Sequence, residues 1–309
     1  MERVIASLPV VTGPQWAGVN YFCTTRAGGV GVAPHDTLNL GRRAGDNPDT
    51  VAENRRRVRA AVPAEPLWLR QVHGSEVVDA DAMDAAGEPA AGEPAAGEPA
   101  AGEPAAGEPA AGEPAAGEPA ASEPAAGEPA AGESTTGAPA QDEPAVDASV
   151  TTQPGRVLAV MVADCLPVVI TDSKGQVLGA AHAGWRGLSG GVLENTLAAM
   201  RAKAPQAEGW RAWVGPGIGP QHFEVGQDVL DAFTADDPAT ARYFTPRPGL
   251  SGKWLADLAG LADFRLRRAG VQEVALSGLC TVSASDRFFS YRRDGETGRM
   301  ALLAWLDPV

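Results

Sequence analysis

Three residues of this chain have the side chains and settings for metal or thiol chemistry. His73 lies in Gln71-Val72-His73-Gly74, just after the strand-like Leu67-Trp68-Leu69. Cys165 lies in Ala163-Asp164-Cys165-Leu166-Pro167, between two apolar runs, where Pro167 is expected to break regular pairing. His182 ends a third apolar run and is followed at once by Ala183-Gly184-Trp185-Arg186-Gly187. Strand ends and the loops after them are where α/β sheets place their chemistry. Two imidazoles and one thiolate suit a divalent metal, and three protein ligands with a fourth position open is the catalytic zinc pattern. Cys165 as nucleophile with His182 as base is equally the pair that a thiol hydrolase needs. Read singly, each of the three is better explained as a core or turn residue. The 17 positions from Cys165 to His182 allow one strand out and back, and spacing leaves open whether the three share a site.

Two arginines sit in glycine-rich turns suited to anions. Arg186 belongs to a stretch, 182–191, that is expected to run straight into a helix, whose free N–H groups and dipole favour an anion. Its guanidinium adds a forked donor pair that matches phosphate. Arg26 lies in Thr24-Thr25-Arg26-Ala27-Gly28-Gly29. The third glycine cluster, 215–220, reads as a tight backbone turn. His35 and His222 read as structural, and Cys23 and Cys280 as small buried residues, since free cysteine behaves as a hydrophobe. Phe288, Phe289 and Tyr291 read as hairpin core beside surface Arg292 and Arg293.

The rest of the chain must position these groups. Residues 85–134 are ten pentads of the form Ala-Ala-Gly-Glu-Pro, with Ser122 and Ser134 as the two departures. Extended to Pro144, this block holds twelve acidic residues and no Lys or Arg. Removing it leaves 249 residues whose net charge is −2 instead of the −14 of the whole. Interior Pro costs a helix about 3 kcal/mol and Gly about 1, and no pentad carries a side chain larger than Ala to bury, so 85–144 reads as a disordered insert. Lengthening a ten-residue loop to sixty costs only about 1.6 kcal/mol of closure entropy. A stable domain can carry it.

A near-neutral remainder lacks the basic face of a nucleic-acid binder. No apolar run approaches the ~18–20 residues of a membrane span, and Pro9 and Pro14 interrupt any secretory h-region. Three cysteines, widely spaced, make no disulfide framework. The composition is that of a soluble cytoplasmic protein.

Asn47-Pro48 opens a helix expected to reach Ala61, with Asn as cap and Pro in the first turn. Residues 156–163, 166–171 and 176–182 are short, largely β-branched apolar runs that read as buried strands. Further strands are expected at 210–215 and 271–277, and helices at 188–200, 226–234 and 254–269. Residues 287–293 and 299–306 are expected to pair as a hairpin across Asp294–Gly298. Strands and helices mix without a strict βαβ rhythm, which implies α/β or α+β with a mixed sheet.

The ordered motifs C-T-T-R-A-G-G-V, G-D-N-P-x-x-V-x-E-N-R, Q-V-H-G, A-D-C-L-P-V, A-A-H-A-G-W-R-G-L, G-P-G-I-G-P and F-F-S-Y-R-R-D-x-x-T-G-R-M-A carry a resemblance from about residue 10 to 307. The chain resembles the YfiH-like laccase-domain family, also called multicopper polyphenol oxidase-like proteins. That resemblance implies a mixed-sheet, layered α/β sandwich, formed as one domain by 1–84 and 145–309. It implies a mononuclear zinc centre with His73, Cys165 and His182 as ligands. It also implies purine nucleoside phosphorylase activity on adenosine, inosine and methylthioadenosine, with adenosine deaminase activity at the same site. The partners would be purine nucleosides and phosphate, with Arg26 and Arg186 as phosphate candidates.

Other chemistries can be weighed on residues. A laccase needs a blue copper plus a trinuclear cluster, on the order of ten histidines; this chain has 4. Copper could still replace zinc on an N/S donor set. The H-x-E with P-C-x-x-C pattern of zinc deaminases is absent, so deamination would need another proton carrier. Asp164 is adjacent to the cysteine, and backbone hydrogen bonding is its alternative role. The family also includes a peptidoglycan-editing amidase, which keeps amide hydrolysis open.

Overall fold

Successive side chains of Val157–Val162 enter different cores, which is why the run is apolar at nearly every position. Val157 and Ala159 face one cluster, while Leu158, Val160 and Val162 face another. A strand buried on both faces has no polar alternation to show. The computed structural model describes residues 1–83 and 143–307. The pentads, expected to form a disordered insert, lie outside the described residues.

Two six-stranded sheets dominate. The first runs β1 (Glu2–Ile5), β2 (Leu8–Val11), β3 (Val19–Thr24), β15 (Met300–Leu306), β7 (Val157–Val162), β4 (Pro66–Leu67). The second runs β14 (Glu273–Leu276), β10 (Arg211–Val214), β8 (Leu166–Thr171), β9 (Leu178–Ala183), β6 (Ala148–Thr151), β5 (Val77–Asp79). Each is mixed: β4 is parallel to β7 in the first, β5 to β6 and β10 to β14 in the second, and the other neighbours are antiparallel. A small third sheet joins β11 (Glu224–Gly226), β13 (Lys253–Ala256) and β12 (Phe244–Pro246). Leu158, Val160 and Leu302 of the first sheet meet Val169, Leu178 and Trp213 of the second in a shared core. The outer face of the first sheet packs under α1 (Pro48–Arg59). That of the second packs under α3 (Val192–Lys203) and α5 (Leu258–Arg268), while α4 (Gln227–Thr234) packs on the small third sheet and shares the same core. The layered α/β sandwich is the expected class, and strands from both sides of residues 84–142 share each sheet.

Local signals account for most elements. The Asn47 side chain accepts the N–H groups of Asp49 and Thr50, and Pro48 opens α1; such a cap is worth about 1 kcal/mol. Four local expectations need correction. The helix expected at 188–200 is divided into α2 (Trp185–Ser189) and α3, because Gly190-Gly191 separates them and Gly191 has φ +91°. The helix expected at 254–269 begins at Leu258, where Asp257 caps the N–H of Gly260; the residues before it form β13. Residues 287–293 make no hairpin arm. Phe288 and Phe289 are buried, Ser290 caps the single turn α6 (Tyr291–Asp294), and β15 pairs with β3 and β7. Pro167 does not break pairing either: it lies inside β8 opposite His182, and its carbonyl accepts the N–H of Gly215.

The boundary set at Pro144 also moves. Glu143 takes a hydrogen bond of 3.0 Å from Arg55 Nη1, with side chains 9% and 6% exposed, and the Pro144 carbonyl accepts from the N–H of Arg70. Both residues belong to the fold. Among the described residues no helix is long and apolar enough to cross a membrane.

Candidate metal centre

All three chemical residues sit at one corner where the chain passes between the sheets or leaves a strand end. His73 lies on the connection from β4 in the first sheet to β5 in the second. Cys165 lies in the turn from β7 to β8, which makes the same crossing. His182 is near the end of β9, whose register with β8 pairs Pro167 with His182 and Leu166 with Ala183. One ligand atom from each of His73, Cys165 and His182 lies within 4.8 Å of the others. The His73 and His182 rings meet edge to face, 4.9 Å apart at 75°, and Cys165 Sγ is 3.9 Å from His73 Nε2.

Close backbone approach makes this possible. His73 has φ +59° and Asp164 φ +94°, conformations that side chains tolerate only when the surroundings fix them. A Cβ at Gly184 would fall 2.9 Å from Cys165 Sγ and 3.0 Å from His73 Cδ2, and one at Gly187 would fall 2.6 Å from the Gly74 carbonyl oxygen. Two glycines of the 182–191 stretch therefore serve packing against the cluster.

The sequence reading did not single out Asp147, which organises the site. It is fully buried just before β6. Its Oδ1 accepts His182 Nδ1–H at 2.8 Å and the His73 N–H at 3.0 Å, and its Oδ2 accepts the N–H groups of Val72 and Gly74. Burial pushes this carboxyl up, but the His182 imidazole and the amides of Gly74 and Val72 outweigh that and hold it below the ordinary carboxylate range. With Nδ1–H donated to Asp147, His182 keeps its Nε2 lone pair for the cluster, the arrangement that orients metal-binding histidines. The signal available in sequence was an acidic residue directly before an apolar strand, which is too common to choose.

The other candidates are placed as follows. Asp164 accepts Thr281 Oγ1–H and the Arg292 N–H, so it holds backbone, its alternative role. Arg26 spends Nε and Nη2 on Asp36 and Nη1 on the Ser285 carbonyl, and lies 4.8 Å over Phe289. Arg186 is exposed on α2 with its guanidinium 4.5 Å over Trp185. Glu194, in the first turn of α3, pairs with Arg265 and Arg268. His35 and His222 stand apart from the cluster, with Nε2 of each near Ala44 O and Ser283 Oγ respectively. Two surface cavities of about 350 and 340 Å³ are lined around Trp16 and around Tyr243, without a member of the cluster.

Two facing mixed sheets with an N/N/S donor set at their crossing corner define a layered α/β protein with a candidate mononuclear metal centre. The family model described as multi-copper polyphenol oxidoreductase laccase matches residues 20–101 and 123–307, and the chain belongs to that family. It is 39% identical to the purine nucleoside phosphorylase YfiH of Escherichia coli, covering 98% of this chain and 100% of the relative. It is also 39% identical to a purine nucleoside phosphorylase of Xylella fastidiosa, covering 99% of both. The crystal structure of the Neisseria meningitidis protein NMB0706 superposes with a TM-score of 0.72 at 40% identity, covering 97% of this chain and 98% of that one. The copper wording of the family description meets a chain with 4 histidines, of which two lie outside the cluster.

Proposed function

We propose that this chain is a purine nucleoside phosphorylase whose His73, Cys165 and His182 hold a zinc ion. The observation that carries the reading is the convergence of those three ligand atoms within 4.8 Å, in a chain whose full-length relatives are described as purine nucleoside phosphorylases. The donors fit zinc. Two imidazole nitrogens and one sulfur suit a borderline-soft ion, and three ligands leave a position open. Copper is the substitute such donors would also accept.

The substrates are adenosine, inosine and S-methyl-5′-thioadenosine. A phosphate oxygen forms the bond to C1′ as the C1′–N9 bond breaks, and the purine leaves with the electron pair and takes up a proton. Zinc, when bound, supplies positive charge that stabilises negative charge developing in the transition state. Asp147 fixes the His182 ring through Nδ1 and anchors the His73 loop. Arg186 is the phosphate residue we favour, because its guanidinium is exposed beside the cluster's own loop, whereas Arg26 is already committed to Asp36 and Ser285. Adenosine deamination belongs to the same reading: a water oxygen forms the bond to C6, the C6–N6 bond breaks, and the amino group takes up a proton and leaves as ammonia, giving inosine.

A second reading has its own observation: Cys165, His182 and Asp147 have the residue types and the Asp–His contact of a thiol hydrolase, with His182 Nδ1 2.8 Å from Asp147 Oδ1. Zinc-loaded protein incubated with adenosine, with and without phosphate, separates the readings by product chromatography. Phosphate-dependent adenine and ribose 1-phosphate support the phosphorylase, and inosine supports deamination beside it. Adenosine untouched in both overturns the nucleoside reading, and amide hydrolysis that survives chelation supports the thiol hydrolase.

A further inference from the structure

Asp147 ties the His73 loop to His182, and a second side chain ties the same loop to the strand that leads into Cys165. Backbone pairing between β4 and β7 ends at Leu67 and Leu158. Three residues further along β7, the half-buried Gln71 side chain takes both main-chain groups of Met161. Its Nε2 donates to the Met161 carbonyl at 2.7 Å, and its Oε1 accepts the Met161 N–H at 2.7 Å. One amide side chain thus extends the β7 ladder after the β4 backbone has left it. Gln71 is two positions before His73, and Met161 is four before Cys165.

The two anchors hold the loop from different sides. Asp147 accepts the consecutive N–H groups of Val72, His73 and Gly74 and fixes them against His182. Gln71 fixes the start of the loop against β7, beyond whose end Cys165 lies. His73 is held between them at φ +59°, a conformation that persists only where the surroundings over-determine it. Its Nε2 is 3.9 Å from Cys165 Sγ. Zinc bonds to nitrogen and sulfur are about 2.0 and 2.3 Å long, so a loop displaced by about 1 Å takes the imidazole out of reach of an ion held by the other two ligands.

We propose that Gln71 is a positioning residue of the metal centre: its paired hydrogen bonds to Met161 set the distance between His73 and Cys165. Without them His73 leaves the donor set, while Cys165 and His182 stay. This inference rests on the reading of His73, Cys165 and His182 as zinc ligands.

The test uses the full chain with two variants. Gln71→Met keeps the length of the side chain without its donor and acceptor, and Gln71→Glu keeps an acceptor for the Met161 N–H. Competition with a chromophoric chelator reads zinc affinity. Cobalt(II), loaded in place of zinc, reports the donor set: thiolate-to-cobalt charge transfer reads Cys165, and the ligand-field bands read the coordination geometry. Gln71→Met should weaken zinc about 10–100-fold, the usual effect of losing a group that orients a ligand, and Gln71→Glu at least about threefold. In both, the thiolate band should persist while the ligand-field bands lose intensity as water replaces His73. In a His73→Ala background Gln71→Met should change zinc affinity by less than about twofold, because the two residues act through one contact. Asp81→Asn, which removes hydrogen bonds to Thr151 and Thr152, is the control for a purely structural loss and should leave zinc affinity unmoved. Zinc affinity of either Gln71 variant within about twofold of the parent, loss of the thiolate band, or an equal fold-loss in the His73→Ala background would overturn the proposal. A parent chain that binds no zinc would overturn the ligand assignment itself, and this inference with it.

Discussion

Asp147 Oδ1 lies 2.8 Å from His182 Nδ1 and 3.0 Å from the backbone nitrogen of His73, so one buried carboxylate oxygen fixes two histidines that are 109 positions apart in the chain. A strand end and a loop are thereby held to the same acceptor. The candidate site is built around this group as much as around its three ligand atoms.

Asp147→Asn would place an amide NH2 among donors that need an acceptor. Zinc affinity should fall about 10–100-fold, the usual effect of losing a partner that orients a ligand. Stability should fall by about 1–3 kcal/mol for the donors left short. Competition with a chromophoric chelator reads the first and urea unfolding the second. Affinity unchanged within experimental error would rule out the orienting role.

Cys165→Ala should abolish stoichiometric zinc and activity together, whereas Arg186→Ala should leave zinc in place and raise the KM for phosphate by about tenfold, roughly one charge-assisted contact. Metal analysis alongside steady-state kinetics separates the two variants. Zinc retained at one equivalent by Cys165→Ala would sink the ligand assignment.

Glu143 is the partner of a buried guanidinium, and Arg55 also donates to the Leu40 carbonyl and lies 4.0 Å over Trp68. Burial pulls Arg55 down to about 10, against the opposing pull of Glu143. Glu143→Ala should therefore destabilise by about 3 kcal/mol, the cost of leaving a buried charge unpaired. Replacing 85–141 with a ten-residue Gly/Ser linker should shift stability by no more than about 2 kcal/mol, the closure-entropy difference. Urea midpoints of the two variants decide the matter; a lost unfolding transition in the linker variant would mean that the pentads are needed by the fold.

Asp81 receives hydrogen bonds from Thr151 Oγ1, Thr152 Oγ1 and the Thr152 N–H, and Lys203 Nζ is 2.9 Å away. Burial raises its carboxyl, and these donors outweigh burial and hold it below the ordinary range. The stabilisation is then fully present above the unfolded carboxyl value of about 3.9 and is lost as pH falls through the lower folded value. Asp81→Asn should cost about 1–2 kcal/mol at neutral pH, and the gap from the parent should close in acid. Denaturant unfolding at several pH values checks this, and a gap independent of pH would refute it.

The apolar runs 156–163, 166–171 and 176–182 were legible as strands because both their faces are buried, and Asn47-Pro48 was legible as a helix start because a cap is a local hydrogen bond. By themselves these local patterns determined a mixed-sheet α/β or α+β fold, the layered sandwich being what the family resemblance implied, and residue type and setting picked out His73, Cys165 and His182 individually. The hand-over of β15 to β3 and β7 was not legible, because pairing partners more than a hundred residues away leave no trace in local propensity. Tertiary structure alone decided that three separate residues share one corner, that Asp147 fixes two of the surrounding segments, and that Glu143 belongs to the fold and not to the acidic block. The physical reason is the same in each case. Residue type and short-range periodicity are written along the chain, whereas a buried carboxylate's role is set by which donors the packed sheets bring to it.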